Sequence, residues 1–142
     1  MCFWEMDERD AFLVCFFFCE NRYFDEALDL YQRMLWVGIR PDVYTFPCVL
    51  EDLWGLPDWR MGREIHAHVI RFIYDSEIDV VNALITMYVK CGDVCSARVL
   101  FNIMSKRDRI LGMLAVQECC YDFGYESRLN FNSGLIHLLA SV

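Results

Sequence analysis

Histidines, cysteines and carboxylates are the residues here that could do chemistry, and their spacing limits which chemistry is open. His66 and His68 flank Ala67. Two residues apart on a helix, they point to different faces, so they do not chelate one metal, and His66 reads as a packing ring. Cys15 and Cys19 stand at i, i+4 and could share a face, but no further ligands converge on them. They read as buried thiols behaving as small apolar groups. Cys91 and Cys95 straddle Gly92 without a histidine at zinc-finger spacing, and Gly92 is accounted for by a left-handed helix end. No glycine-rich phosphate loop, nucleophile elbow or His-Glu metal helix occurs. The expectation is no catalytic residue, no metal and no cofactor: not an enzyme.

The elements that carry these residues must come from a chain of 142 residues, 56% of them hydrophobic, which suits one globular unit. The net charge of −8 argues against a phosphate-rich partner. The charge is uneven, however: residues 21–109 hold 13 acids and 11 bases, so the central part is nearly balanced. The acidic start "MCFWEMDERD" lacks the features of a secretory signal and of an Arg- and Ser-rich transit peptide, so the eight cysteines are expected to be reduced. The apolar run Ala11 to Cys19 is nine residues long, against about 20 for a membrane-spanning helix, and no membrane partner is expected.

Three segments, "FDEALDLYQRM", "WRMGREIHAHV" and "VCSARVLFNIM", match at a step of 35 residues. Phe24, Trp59 and Val94 coincide, as do the small residues Ala27, Gly62 and Ala97 and the aliphatics Leu30, Ile65 and Leu100. The rings Tyr31, His66 and Phe101, and then Met34, Val69 and Met104, complete the register. Ala27, Leu28, Tyr31, Met34 and Leu35 form one helical stripe. Asp58 and Asp93 stand where an N-cap acceptor belongs. Upstream, Phe46, Val49, Leu50, Leu53 and Trp54 form a partner stripe, and Val81, Leu84, Ile85 and Tyr88 the next. Trp54 and Trp59 are expected in the core.

The repeating unit is thus a helical hairpin, which cannot cover its apolar faces alone. Stacked hairpins share a core, so the expected fold is all-α, an α-α superhelix or solenoid. Two good units with a damaged one at each edge predict exposed apolar ends, marginal stability and self-association.

The stretch "YFDEALDLYQRMLWVGIRPDVYTFPCVL", followed by "GREIHAHVI" and "NALITMYVKCGDVCSARVLF", resembles the pentatricopeptide repeat family, and more closely its plant subclass of alternating long and short repeats. Gly38 to Asp42 resembles the turn that closes a repeat, and Asn82 to Ile85 with Met87 and Tyr88 the opening helix of a short one. On this resemblance, residues 1–22 are a degenerate partial repeat. Residues 23–109 are repeats, with the first ending near 42, a long repeat at 43–77 and a short one at 78–108. Residues 110–142 are a divergent tail, in which the string around Glu118 to Phe123 suggests a reading-frame slip. The tetratricopeptide repeat is the competing helical hairpin, but its Trp, Leu-Gly and Tyr signature is absent.

The resemblance implies binding of single-stranded organellar RNA at about one base per repeat, each base read by two or three side chains. Carried over, the readers are Asn82 with Asp108, an Asn-Asp pair that in the family favours a pyrimidine, more often uracil. Pro47 and Glu77 hold the equivalent places in the long repeat, and Asp42 ends the first. The first repeat's opening helix, which departs from the family and looks about one turn short, offers Phe12. Arg40, Lys90, Lys106, Arg107 and Arg109 are candidate phosphate contacts, weighed evenly against plain solvated charges. One complete pair is worth about 1–3 kcal/mol of discrimination, too little for sequence-specific binding by this chain alone. The resemblance further implies a chloroplast or mitochondrion, a role in RNA processing or cytidine-to-uridine editing, and other repeat or editing-complex proteins as partners. The deaminase-like zinc site of such systems is absent from this sequence. An interaction scaffold binding another helical repeat, and a degraded gene product without function, are the competing readings.

Overall fold

The computed structural model describes residues 7–53, 59–105 and 108–109. The described residues are helical, with no strand, and six helices follow one another as three hairpins. The first pairs α1 (Glu8–Glu20) with α2 (Phe24–Trp36), the second α3 (Thr45–Asp52) with α4 (Trp59–Arg71), and the third α5 (Ile78–Lys90) with α6 (Val94–Ile103). The opening helices stand side by side, α1 against α3 and α3 against α5, which is the stacking expected of an α-α superhelix. The opening helix of the first unit is not a turn short: α1 and α5 each run 13 residues. Asp7 makes this length possible, since its carboxylate accepts the Asp10 backbone N–H at 2.8 Å and caps the first turn.

The expected stripes are the core. Phe46, Val49, Leu50 and Leu53 of the second hairpin, and Val81, Leu84, Ile85 and Tyr88 of the third, are buried in one cluster that also takes Leu28 and Tyr31 from α2. A smaller cluster joins Cys15 of α1 to Leu30 and Met34 of α2. Helix α5 is enclosed on almost every side by α3, α4 and α6, which is why its Thr86 is buried with the apolar residues; the Thr86 hydroxyl donates to the Asn82 carbonyl at 2.9 Å. The small residues of the register do bring helices close. Ala27 and Ala97 are fully buried, and a β-carbon added to Gly62 would collide with the Met87 side chain of α5.

Four helices end in the same way. After α1, α2, α4 and α5 the residue in the left-handed region is Arg22, Gly38, Ile73 and Gly92, and the next residue donates its N–H back to the carbonyl five residues earlier, as Ile39 does to Met34 and Tyr74 to Val69. Gly92 is therefore a helix-ending residue, as its position between two cysteines implied. Asp93 caps α6 through Ser96, accepting from its N–H at 3.1 Å and its hydroxyl at 2.7 Å. Asp58 and Trp54 lie outside the described residues.

Trp59 corrects the sequence reading. It is 50% exposed rather than in the core, because it opens α4 on the outer rim, where Arg60 and Arg63 lie over its ring at 5.8 and 5.6 Å. The outer face of the second helices changes character along the stack. Asp29 and Arg33 form a 2.8 Å ion pair on α2, Glu64 is exposed on α4, and Val99 and Ile103 stand exposed on α6.

Candidate nucleic-acid interface

The three opening helices form one wall, and residues at the same register of each meet along it. Phe12 of α1, Pro47 of α3 and Asn82 of α5, spaced by 35, line a single groove of about 410 Å³. Pro47 fits at the third residue of α3, where its missing N–H costs no helical hydrogen bond. Tyr44 and Phe16 flank Phe12 on the same groove, with ring centroids 5.6 and 6.1 Å from it. Asn82 is half-buried on the second turn of α5, and its Oδ1 is shielded from solvent without a hydrogen-bond donor. Glu51 and Asp79 supply the charge of the wall, and no Lys or Arg lines it among the described residues. Burial, and less strongly Glu20, hold the Glu51 carboxyl above its ordinary range, while Lys90 opposes them.

The remaining readers are placed differently. Asp108 lines a second cavity, of about 440 Å³, with His66 and Ile70 of α4 and Val99 of α6, so it does not share the Asn82 groove. Its carboxylate accepts the Ser105 hydroxyl at 2.6 Å, and its N–H donates to the same oxygen at 3.2 Å, a reciprocal cap at the start of a helical turn. Asp42 is also occupied by its own chain. Its Oδ1 accepts from the N–H of Tyr44 and of Thr45, at 3.0 and 2.8 Å, and from the Thr45 hydroxyl, and so opens α3. Glu77 precedes α5 with an exposed side chain that makes no cap hydrogen bond.

Of the cations, Arg40 crosses to the next hairpin. Its Nη2 donates to the Phe72 carbonyl at 2.6 Å, and its guanidinium lies 5.6 and 5.5 Å from the Phe72 and Tyr74 ring centres. Lys90 ends α5 near Glu51, and Arg109 is half-buried. Lys106, Arg107 and the 110–142 tail lie outside the described residues.

The two histidines point to different helices. Tyr31 of α2 hydrogen-bonds His68 Nδ1 at 2.9 Å, and Tyr88 of α5 hydrogen-bonds His66 Nδ1 at 2.7 Å. Burial lowers both imidazole pKa values, and Arg63 adds to the effect on His66. No three His, Cys, Asp or Glu among the described residues converge to hold a metal. Sequence reasoning missed a thiol-carboxylate contact: the Cys19 thiol donates to Asp52 Oδ2 at 3.2 Å across α1 and α3. Burial, with help from the Glu51 charge, pushes Asp52 up to about 7 against the opposing thiol hydrogen bond. The i, i+4 spacing of Cys48 and Asp52, facing that of Cys15 and Cys19, was the available signal.

Residues 17–39 and 79–108 match the family model described as PPR repeat. At 57% identity over 112 residues, the chain is similar to a chloroplastic pentatricopeptide repeat-containing protein of Arabidopsis thaliana, a match covering 76% of this chain and 13% of that protein. A second Arabidopsis thaliana pentatricopeptide repeat-containing protein is 41% identical over 117 residues, covering 72% of this chain and 17% of its own length. A mitochondrial one is 37% identical over 86 residues, covering 61% and 12%. The chain thus spans between 12% and 17% of the length of these relatives. No helix among the described residues is long and apolar enough to cross a membrane.

Proposed function

Because this chain belongs to the pentatricopeptide repeat family, we propose that it is an RNA-binding helical-repeat module, a portion of an organellar factor of the long- and short-repeat type that recognises single-stranded RNA for processing or editing. One observation carries the reading. Asn82, the best family-like reader, lies with Phe12 and Pro47 in one groove formed by successive opening helices, the arrangement that reading successive bases requires. Phe12 and Pro47 have no hydrogen-bonding side chain for a base edge, so one base is read well and its neighbours poorly. The chloroplastic and mitochondrial names of the relatives support an organellar setting. The role is recognition without catalysis.

Binding to short single-stranded RNAs, measured at low and moderate salt for the chain and for an Asn82→Ala, Asp108→Ala variant, tests this. The variant is expected to lose about 1–3 kcal/mol of base discrimination. Equal binding by both proteins would overturn the reading.

A further inference from the structure

The groove that holds Asn82 has a wall chemistry that polyanion binding leaves unexplained. Its described charges, Glu51 and Asp79, are both acidic, no Lys or Arg lines it, and Phe12, Phe16 and Tyr44 give it an aromatic side. Phe16 and Tyr44 are exposed, so the rings are open to a ligand. A phosphate placed there would face two carboxylates, and like charges repel. The complement of such a wall is a flat cation rich in donors. A guanidinium stacks on aromatic faces, holds its hydration weakly, and presents five N–H groups in a planar fork. An ammonium group is compact and strongly hydrated, and matches the ring face less well.

From this complementarity we infer that the groove takes an arginine side chain presented by a partner protein. Its guanidinium stacks among Phe12, Phe16 and Tyr44 and pairs with Glu51 and Asp79. The inference goes beyond the RNA reading and occupies the same groove, so the two ligands compete. It also suits a basic protein partner to the chain's net charge of −8.

The probe is a labelled peptide, acetyl-Gly-Ser-Gly-Arg-Gly-Ser-amide, compared with versions carrying citrulline or lysine in place of arginine. Binding is followed by amide chemical-shift changes in the whole chain. The arginine peptide is expected to bind about tenfold more tightly than the citrulline peptide, and to weaken about tenfold in a Glu51→Gln, Asp79→Asn variant whose helical circular dichroism is unchanged. Phe12→Leu, which keeps the wall apolar, should weaken it less than the charge variant. Equal binding of arginine and citrulline peptides, no binding at millimolar peptide, or an unaffected charge variant would overturn the inference. Decauridine RNA measured on the same proteins separates the two readings. RNA binding that rises in the charge variant while the peptide fails leaves the RNA reading standing alone, and peptide binding without RNA binding does the reverse.

Discussion

Gly38 and Ile73 stand one repeat apart and share one backbone conformation, with φ of +83° and +66°. Glycine adopts it freely; a β-branched residue does not. Ile73 is 77% exposed, so its side chain returns little burial for the strain. Ile73→Gly is therefore expected to stabilise the chain by about 1 kcal/mol, read as a higher midpoint in urea. Gly38→Ala should lower the midpoint by a similar amount. An Ile73→Gly midpoint below that of the parent would refute the strain assignment.

Asp52 is 1% exposed, with a carboxyl pushed up to about 7. A raised acid stabilises fully below its unfolded value, near 3.9, and loses that contribution as pH climbs through the folded value. The unfolding free energy should fall by on the order of 2–4 kcal/mol between pH 4 and pH 8 on this account. His66 and His68 act oppositely: their folded pKa values are lowered, so they contribute above the unfolded imidazole value and lose that contribution as pH falls. Subtracting the Asp52→Asn stability curve from the parent curve isolates the carboxyl, and a flat difference would remove it as a titrating group.

Arg40 tests the junction between hairpins. It offers the Phe72 carbonyl a charged donor and stacks against Phe72 and Tyr74. Arg40→Lys keeps the charge but loses the planar fork, and should cost about 1 kcal/mol, with faster amide exchange at Tyr74 and Glu77 as the local readout. Unchanged exchange would make the contact incidental.

Asn82 should trade stability against recognition. Its buried Oδ1 lacks a donor, a penalty of about 1–3 kcal/mol that a similar-sized apolar group avoids. Asn82→Leu is expected to raise the melting temperature while weakening RNA binding. A fall in both would show that the amide is satisfied within the fold.

The repeat step made the hairpins, their stripes and the Asp93 cap legible, since each depends on periodicity and local hydrogen bonding. The groove was legible in part: stepping by 35 placed Phe12, Pro47 and Asn82 at one register, and the structure lines one cavity with them. What sequence could not supply was partnership across helices. In sequence Arg40 fits a phosphate contact and a solvated charge equally well, because a surface cation looks the same whether it meets solvent or a carbonyl 32 residues away. Trp59 reads as core from its residue type, yet the first position of a helix can turn outward, and it is 50% exposed. The Ile73 strain was available from the register with Gly38, since a glycine at one copy of a turn marks the conformation required of the other.

The Arg40 clasp has a mechanical consequence. It ties the turn closing the first hairpin to the turn closing the second at one end of the stack, and separating them would strip the Phe72 carbonyl of a charged donor. Flexure between these hairpins is therefore resisted along that edge. A threaded strand or peptide would therefore be held against hairpins whose hinge line stays taut.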